Sequence, residues 1–464
     1  MRDAVKIVTI GGGSSYTPEL VEGFISRYDE IPIAEQWFVD VEEGREKVET
    51  VAAMAQRMWD ASGHDVKVHV TYDVREALPG ADYVTTQFRV GLLDARIKDE
   101  RIPLSYGILG QETNGAGGIF KALRTIPVIQ GILEDMEELC PDAWLINFTN
   151  PSGMVTEAAI RNFGWKKTIG LCNVPINFEM KEGPSIGVER DDLIYQCAGL
   201  NHFHWHRVFD NTGKERTAEL VEKLAEDQES LPANLRGADG FKALDLVRTA
   251  NLLPCGYHMY YFQTEEMLEQ QLEEYEQNAT RAETVKAIED ELFELYADPT
   301  LDHKPDQLAL RGGAHYSDAA CGTISAIHNN SQVRMTVSTE NRGAIKYLPD
   351  DCVVEVSAII SGIGAEPLVW GEMRPHERGW LQTMKAMEEC TIKAAIEGDY
   401  GALLEAFDLN PIMPNGKTSH QVLKELLIAH EKYLPQFSEV IAQLKADGVT
   451  IKDDKAREIV EAGR

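Results

Sequence analysis

The sequence predicts an α/β fold, a Rossmann-like doubly wound sheet followed by an α+β domain. β-branched residues at 5–10 lead into a glycine-rich turn, Gly11-Gly12-Gly13, which is typical of a buried parallel strand that runs into a helix. Strand-like and helix-like segments then alternate to about residue 175, as in doubly wound folds. Beyond that point the alternation stops, and 464 residues are ample for two domains. We therefore predict domains at 1–175 and 176–464, with the functional site between them.

The first half of the chain supplies the elements of the doubly wound sheet. Thr17-Pro18 predicts the start of the first helix, because proline is favoured in the first helical turn. A second strand at 36–40 ends in Asp40, and a helix is predicted over 43–59. Further strands are predicted at 66–70, 81–86 and 143–148, with helical stretches between them.

The second half is less regular. Strands are predicted around 193–209, and acidic helical segments at 218–226 and 265–296. A second group of strands is predicted at 322–326, 332–338 and 352–356. Two long amphipathic helices, at 376–396 and 420–445, are predicted to close the chain.

Composition narrows the classes of function. A formal net charge of −31 argues against nucleic acid as a partner, and an anionic substrate would need a local basic pocket. No apolar run is long enough to span a membrane, and the N-terminus lacks the pattern of a signal peptide. Seven cysteines without regular spacing are typical of reduced thiols, so we expect a cytoplasmic protein.

The glycine-rich turn is a candidate dinucleotide site. Glycines let backbone N–H groups approach a pyrophosphate, and an acid at the end of the second strand can bind the ribose hydroxyls of NAD in preference to NADP. The motif is incomplete, because Tyr16 stands where its last glycine would be, and an ordinary strand-to-helix turn is the alternative. The residues expected to bind the cofactor are Gly11, Gly13, Ser14, Ser15 and Asp40.

Cys172 and His202 are candidate metal ligands. Thiolate and imidazole together suit Zn, Mn, Fe or Co, and two protein ligands leave positions open for water or substrate, as in a catalytic site. His202, His204 and His206 alternate and would share one face of a strand, so a three-histidine site is the alternative.

Four other polar residues could act on a substrate. Asn150 follows a predicted strand, where sites form in doubly wound folds. Tyr257 could act as a base if a nearby metal and cation lower its pKa. Arg96 and Arg311 could bind a carboxylate or phosphate, although Arg96 could also be an arginine on a helix surface. The glycine-rich segment 110–118 could be a substrate loop or a mobile connection.

Several short motifs occur together in a fixed order. They are Ile10-Gly11-Gly12-Gly13-Ser14, Gln87-Phe88-Arg89-Val90-Gly91, Gly110-Gln111-Glu112-Thr113, Asn147-Phe148-Thr149-Asn150-Pro151-Ser152-Gly153, Gly170-Leu171-Cys172-Asn173-Val174-Pro175, Gly199-Leu200-Asn201-His202-Phe203 and Arg311-Gly312-Gly313-Ala314. With this set the chain resembles glycoside hydrolase family 4, the NAD- and metal-dependent glycosidases, and within it the 6-phospho-β-glucosidase branch.

The resemblance implies a fold like that of lactate and malate dehydrogenases. It implies NAD and a divalent metal, typically Mn²⁺, held by Cys172 and His202. The second domain is expected to carry metal and substrate contacts and to form a homodimer or homotetramer. The implied reaction oxidises C3 of the sugar, removes the C2 proton with Tyr257 as the base, eliminates the aglycone, adds water and returns the hydride. The substrate-binding residues it implies are Arg96, Asn150, Asn173 and Arg311.

Three positions depart from that branch. Met259 stands where an arginine is usual, Leu92 replaces a glycine, and His315 replaces a tyrosine. Losing an arginine weakens the prediction of a 6-phosphate on the β-glucoside, because phosphate recognition draws on Arg and Lys. A non-phosphorylated sugar or a uronide therefore stays open within the family. Outside it, the alternatives are a simple NAD-dependent dehydrogenase and a non-enzymatic sensor on the same fold.

Overall fold

We describe the fold from a computed structural model of the chain, over residues 4–226, 240–311 and 315–463. Within these residues twelve strands form a single sheet. The strands are β1 (Val5–Ile10), β2 (Ile33–Val39), β3 (Lys67–Thr71), β4 (Tyr83–Thr86), β5 (Trp144–Asn147), β6 (Thr168–Gly170), β7 (Leu193–Leu200), β8 (Phe203–Asp210), β9 (Leu253–Pro254), β10 (Val333–Glu340), β11 (Val353–Ser361) and β12 (Gly364–Pro367).

Helices cover the sheet on both faces. They are α1 (Thr17–Ser26), α2 (Arg45–Ser62), α3 (Val74–Ala77), α4 (Leu92–Leu104), α5 (Ala116–Leu139), α6 (Ser152–Glu157), α7 (Val174–Ser185), α8 (Thr217–Glu226), α9 (Gly240–Ala250), α10 (Met259–Phe262), α11 (Thr264–Glu276), α12 (Arg281–Tyr296), α13 (Leu308–Arg311), α14 (Tyr316–Asn329), α15 (Pro375–Glu397), α16 (Tyr400–Leu409), α17 (Lys417–Ala429), α18 (Ser438–Ala446) and α19 (Asp454–Ala462). None of the described helices has the length and apolar character needed to cross a lipid bilayer.

The parallel half of the sheet has the strand order of a Rossmann fold. Its order is β3-β2-β1-β4-β5-β6, and each pair that shares hydrogen bonds is parallel. Along β1, Ile7 and Val8 are both fully buried but pack into different cores, because successive side chains of a strand point to opposite faces. The predicted Rossmann-like topology is confirmed, and it places the ends of β1, β4 and β5 side by side.

The antiparallel half continues the same sheet. β10 pairs with β6 through Ser338 and Gly170, and the order then runs β10-β11-β7-β8-β9, with β12 on β11. β7 and β8 form a hairpin whose turn contains His202. The hairpin therefore brings a residue of the second half of the chain to the edge where the parallel strands end.

The prediction of a strand at 322–326 is wrong, because this segment lies inside α14. Its β-branched residues suggested a strand, but burial follows a helical period. The buried positions of α14 are Tyr316, Ala319, Ala320, Cys321, Thr323, Ile324, Ala326 and Ile327. Gly23 of α1 allows a close approach here, since a Cβ on it would lie 2.5 Å from Ser317 Cβ. Packing against α1 thus decides the conformation of this segment.

The prediction of one helix over 420–445 is also wrong. The helix α17 ends at Ala429, two short 3-10 turns follow at Glu431–Tyr433 and Pro435–Phe437, and α18 begins at Ser438. Pro435 cannot continue a helix, because it lacks the N–H group and its ring clashes with the preceding turn. The break turns the chain across the end of the parallel sheet.

Candidate active site

One large cavity of about 1240 Å³ lies at the carboxyl ends of the parallel strands. Its lining includes every predicted site residue except Ser15, namely Gly11, Gly13, Ser14, Asp40, Arg96, Asn150, Cys172, Asn173, His202, Tyr257 and Arg311. Residues from both halves of the chain therefore meet in one place, as expected for ligands of doubly wound folds.

The glycine turn and Asp40 form one end of this cavity. The Gly13 N–H donates to Asp40 Oδ2 at 2.8 Å, and the Val41 N–H donates to Oδ1 at 2.9 Å. Burial raises the pKa of Asp40, and these two N–H groups oppose the rise. A Cβ on Gly13 would lie 2.8 Å from Asp40 Oδ2, so the close approach requires glycine. The turn has the small residues and the acid that a dinucleotide site needs.

Ser15 lies outside the cavity lining, beneath the turn. Its hydroxyl donates to Glu289 Oε2 at 3.2 Å, and both side chains are buried. Glu289 also pairs with Lys47 and lies 3.7 Å from Arg311 Nε. The structure thus gives Ser15 a bond that fixes the turn to α12. Glu289 carried no signal in the sequence, because its helix is acidic throughout.

Cys172 and His202 face each other across the cavity wall. Cys172 follows β6, His202 lies in the β7–β8 turn, and Cys172 Sγ lies 3.3 Å from His202 Nε2. His202 has the left-handed φ of 61°, and it is buried together with its Nδ1 atom. Burial raises the pKa of the thiol and lowers the pKa of His202 to about 4, so the imidazole is neutral, which is the form that binds a metal. A soft and a borderline donor at this spacing fit one divalent metal ion.

The three-histidine alternative is not supported. His206 Nε2 lies 2.9 Å from Glu182 Oε1, while His204 Nδ1 lies 3.2 Å from Glu355 Oε1. Over residues 4–226, 240–311 and 315–463 no group of three or more His, Cys, Asp or Glu side chains is arranged to hold a metal. His204 and His206 each lie beside a different carboxylate, and the three imidazoles do not form one ligand group with His202.

Tyr257 stacks directly on His202, the candidate metal ligand. It lies in a 3-10 turn, Gly256–His258, and its ring stacks on the His202 imidazole with centroids 3.9 Å apart and planes 4° apart. Burial raises the pKa of the phenol well above its usual value. The chain's own groups therefore do not produce the lowered pKa that the sequence predicted for a phenol beside a metal and a cation.

A buried cluster of three cations around Glu112 was missed as a site. Glu112 lies 2.8 Å from Arg89 Nη1, 3.2 Å from Arg96 Nη1 and 3.2 Å from Lys121 Nζ, and all four side chains line the cavity. Arg96 is therefore a buried cavity residue, not an arginine on a helix surface. Arg89 and Glu112 stood in motifs of the sequence, but nothing there joined them to Lys121. An acidic chain thus holds a local basic pocket.

Burial and the neighbouring charges shift the pKa values of Glu112 and Lys121 in the cation cluster. Burial raises the pKa of Glu112, but the cations, Arg89 first, outweigh this and hold that pKa well below its usual range. Burial lowers the pKa of Lys121 to about 7, with repulsion from Arg89 adding to the effect. The side chain of Lys121 therefore changes from charged to neutral as the pH rises through about 7.

The remaining predicted residues take defined places. Arg311 Nη1 donates to the Tyr16 hydroxyl at 3.2 Å, while the following 312–314 lie outside the described residues. Asn173 is next to Cys172 at the N-terminus of α7, and Asn150 precedes α6. The 110–118 segment is ordered by Gln111, whose Oε1 accepts N–H bonds from Thr113 at 2.6 Å and from Asn114 at 2.7 Å.

Sequence models of known families match most of the chain. The model for family 4 glycosyl hydrolases matches residues 6–182, and the model for the C-terminal domain of the same family matches residues 197–413. The chain belongs to glycoside hydrolase family 4. The predicted resemblance is confirmed, and the cavity joins residues from both matched segments.

Relatives in this family cover nearly the whole chain. A probable 6-phospho-β-glucosidase of Bacillus subtilis (strain 168) is 50% identical over 94% of this chain and 99% of its own length. The 6-phospho-β-glucosidase of Escherichia coli (strain K12) is 46% identical over 96% of this chain and 99% of its own. Among solved structures, a 6-phospho-β-glucosidase of Thermotoga maritima with manganese, NAD⁺ and glucose-6-phosphate is 32% identical. It has a TM-score of 0.82 and covers 92% of this chain and 99% of its own.

Proposed function

We propose that this family 4 glycosidase hydrolyses 6-phospho-β-glucosides with NAD⁺ and a divalent metal, Mn²⁺, as cofactors. The observation that carries the proposal is the single cavity that joins the Gly13–Asp40 cradle, the Cys172–His202 pair and Tyr257. The names of the Bacillus subtilis and Escherichia coli relatives support the substrate class. The NAD⁺ and manganese in the Thermotoga maritima structure support the cofactors.

Two groups of residues would hold the cofactors. Gly11, Gly13, Ser14 and Asp40 would bind NAD⁺, with Ser15 fixing the turn from below. Cys172 as a thiolate and His202 as a neutral imidazole would bind the metal. When bound, NAD⁺ accepts and later returns a hydride at C3 of the sugar, and the metal polarises the neighbouring sugar oxygens.

Tyr257 is our candidate for the base that removes the C2 proton. It stacks on His202, so its hydroxyl is held beside the ligand set at which the sugar would bind. Asn150, Asn173 and Arg96 line the same wall and would hydrogen-bond the sugar hydroxyls. An elimination of this kind needs no pair of catalytic carboxylates, which agrees with a motif set that contains none.

The phosphate would bind near the cation cluster. Arg89, Arg96 and Lys121 all lie beside Glu112, and Arg96 also pairs with Glu100, so three cations face two carboxylates and the excess positive charge favours a bound phosphate. These side chains would replace the arginine that is absent at Met259, which also lines the cavity. Arg311, the last residue of α13, also lines the cavity and would add a further hydrogen-bond donor for the substrate.

The same proposal extends to the organisation of the protein. Residues 1–175 would bind the cofactor and contribute Cys172 to the metal site, and residues 176–464 would supply His202 and further substrate contacts and form a homodimer or homotetramer. All seven cysteines are free thiols, which fits a reducing compartment, and we place the protein in the cytoplasm.

The test is hydrolysis of an aryl β-glucoside and its 6-phosphate, side by side, by enzyme stripped of cofactors and metal. We expect cleavage only when NAD⁺, Mn²⁺ and reductant are all restored, with preference for the 6-phosphate. In D₂O, deuterium should appear at C2 of the product sugar. Preference for a non-phosphorylated sugar or a uronide would overturn the substrate class. Stoichiometric NADH without cleavage would overturn the glycosidase itself and indicate a dehydrogenase.

A further inference from the structure

A short segment of the C-terminal region crosses the mouth of the cavity. We call residues 429–433, between α17 and α18, the C-terminal strap; Ala429, Glu431, Lys432 and Tyr433 all line the cavity. The family models match residues up to 413, so the strap lies beyond their matched range. The strap therefore forms part of the cavity wall, and none of the sequence motifs named above includes it.

The strap makes contact on both sides of β1. Lys432 Nζ lies 3.9 Å from Glu43, in the turn that follows β2 and Asp40. The Tyr433 ring lies against Gly91, in the segment that follows β4, where an added Cβ would come within 2.9 Å of the ring. Because β1 lies between β2 and β4, the strap passes in front of the glycine turn that ends β1.

Buried polar contacts hold the strap in this position. Lys98 Nζ donates to the Ala429 carbonyl oxygen at 2.7 Å, and His430 Nε2 lies 2.8 Å from Asp99 Oδ1. Asp99 also accepts two bonds from Arg124, at 3.0 and 2.7 Å. His430, Asp99 and Arg124 are almost completely buried. These contacts therefore anchor the strap to α4 and α5.

Three of the apolar side chains that line the cavity are unusually exposed to solvent. Val41 is 56% exposed, and Leu92 and Val128 are each 41% exposed, although all three line the cavity. Val41 directly follows Asp40, and Leu92 directly follows Gly91, so two of these side chains flank the contacts made by the strap. Exposed apolar side chains grouped around a concave site mark a place where an apolar group of a ligand binds.

We propose that the strap completes a purine site, with Tyr433 presenting an aromatic face to the adenine of the dinucleotide. The inference rests on the proposed function, because it takes NAD⁺ as the ligand. A planar apolar base suits a pocket formed by aliphatic and tyrosine side chains, and base–aromatic stacking contributes substantially to nucleotide binding. The adjacent Asp40 would bind the ribose next to that base.

The test measures binding, not turnover. Isothermal titration of the full chain with NAD⁺, AMP and nicotinamide mononucleotide separates the two halves of the dinucleotide. Replacing Tyr433 by alanine (Y433A) should weaken NAD⁺ and AMP binding about tenfold, in line with the loss of one base stack. It should leave nicotinamide mononucleotide binding unchanged, and Y433F should bind NAD⁺ like the parent protein. Y433L, which keeps bulk without the aromatic face, is the second variant if Y433A does not fold.

A matched control is Tyr400, a partly buried tyrosine at the start of α16 that does not line the cavity. Y400A should leave all three affinities unchanged. Unchanged NAD⁺ and AMP affinities in folded Y433A and Y433L would overturn the purine site while leaving NAD⁺ binding intact. A parent protein that binds neither NAD⁺ nor AMP would instead overturn the proposed function on which the inference rests.

Discussion

The ring of Tyr257 lies parallel to the imidazole of His202, with centroids 3.9 Å apart. The two residues are far apart in the chain, and each lies in a short turn rather than in a regular element. Stacking fixes the direction of the phenol relative to the ligand pair formed with Cys172, whose Sγ is 3.3 Å from His202 Nε2. One imidazole therefore orients both the candidate metal and the candidate base.

Replacing Tyr257 by phenylalanine should abolish most of the activity. The variant keeps the stacked ring and loses only the hydroxyl, so we expect turnover to fall by about 10²- to 10⁴-fold, the usual contribution of a general base. Transfer of solvent deuterium to C2 should fall in parallel, while affinity for NAD⁺ stays unchanged. The measurement is the initial rate with an aryl 6-phospho-β-glucoside, together with NMR of the product formed in D₂O.

The control for this experiment is Tyr261→Phe. Tyr261 is buried, its hydroxyl makes no hydrogen bond within the described residues, and it does not line the cavity. Removing that hydroxyl should leave the rate near that of the parent protein. Equal rates for the Tyr257 variant and the parent protein would exclude Tyr257 as the base.

Replacing Cys172 by serine should separate the two cofactors. A serine hydroxyl stays neutral and is a much poorer ligand than an anionic thiolate, so Mn²⁺ binding and turnover should both be lost. The glycine turn and Asp40 lie at the other end of the cavity, so NAD⁺ affinity should not change. Electron paramagnetic resonance of free Mn²⁺ and calorimetry with NAD⁺ measure the two affinities.

A control for the cysteine is Cys140→Ser, because Cys140 lies between α5 and β5 and does not line the cavity, and burial raises the pKa of its thiol to about 11. It should keep both affinities. Mn²⁺ binding by the Cys172 variant at the parent affinity would contradict the assignment of the metal site.

Lys121 predicts a pH dependence of substrate affinity. Burial lowers its pKa to about 7, so it is protonated below that pH and neutral above it. Arg89, Arg96 and Lys121 thus carry three positive charges below about pH 7 and two above it. KM for a 6-phospho substrate should therefore rise as the pH increases through 7. Binding of the phosphate should raise the pKa of Lys121 and take up a proton.

Two variants test this assignment. Lys121→Arg keeps its charge over the whole range, so the rise in KM above neutrality should disappear. Lys121→Gln should have a high KM at every pH. The measurement is KM against pH for the phosphorylated and the non-phosphorylated aryl glucoside. An identical rise in KM for both substrates would show that Lys121 does not act on the phosphate.

The Rossmann half of the fold could be predicted because the sequence features that specify it lie close together in the chain. A β-branched run, a glycine turn and Asp40 after the second strand are all close in the sequence, and so are Cys172 and the motif around it. The cation cluster depends on long-range packing instead. Lys121 lies inside a helix, and only the fold of α4 against α5 brings Glu112 between it and Arg89.

The errors have the same physical origin. The segment 322–326 has strand propensity, and packing of α14 against Gly23 of α1 overrides it. The interruption of the last predicted helix depends on Pro435, and its role at the cavity depends on the distant partners Asp99 and Lys98. Neither partner is indicated by the sequence around the strap.

Asp99 should be a strong determinant of stability. Its carboxylate is fully buried between Arg124, at 2.7 Å, and His430, at 2.8 Å. Burial raises its pKa, but Arg124 and then His430 outweigh this and hold the pKa below the usual value. Asp99→Asn would leave the Arg124 cation buried without its counter-charge, so we expect a loss of about 3–5 kcal/mol in the free energy of unfolding. Urea denaturation of the metal-free protein measures the loss.

The matched control is an ion pair at the surface. Glu49 lies 3.1 Å from Arg45 with both side chains about half exposed, and solvent screens the pair. Glu49→Gln should therefore change the free energy of unfolding by less than about 1 kcal/mol. A similarly small effect for Asp99→Asn would mean that water or a rearranged side chain compensates Arg124. In that case the anchoring of the strap through His430 would contribute little to the stability of the fold.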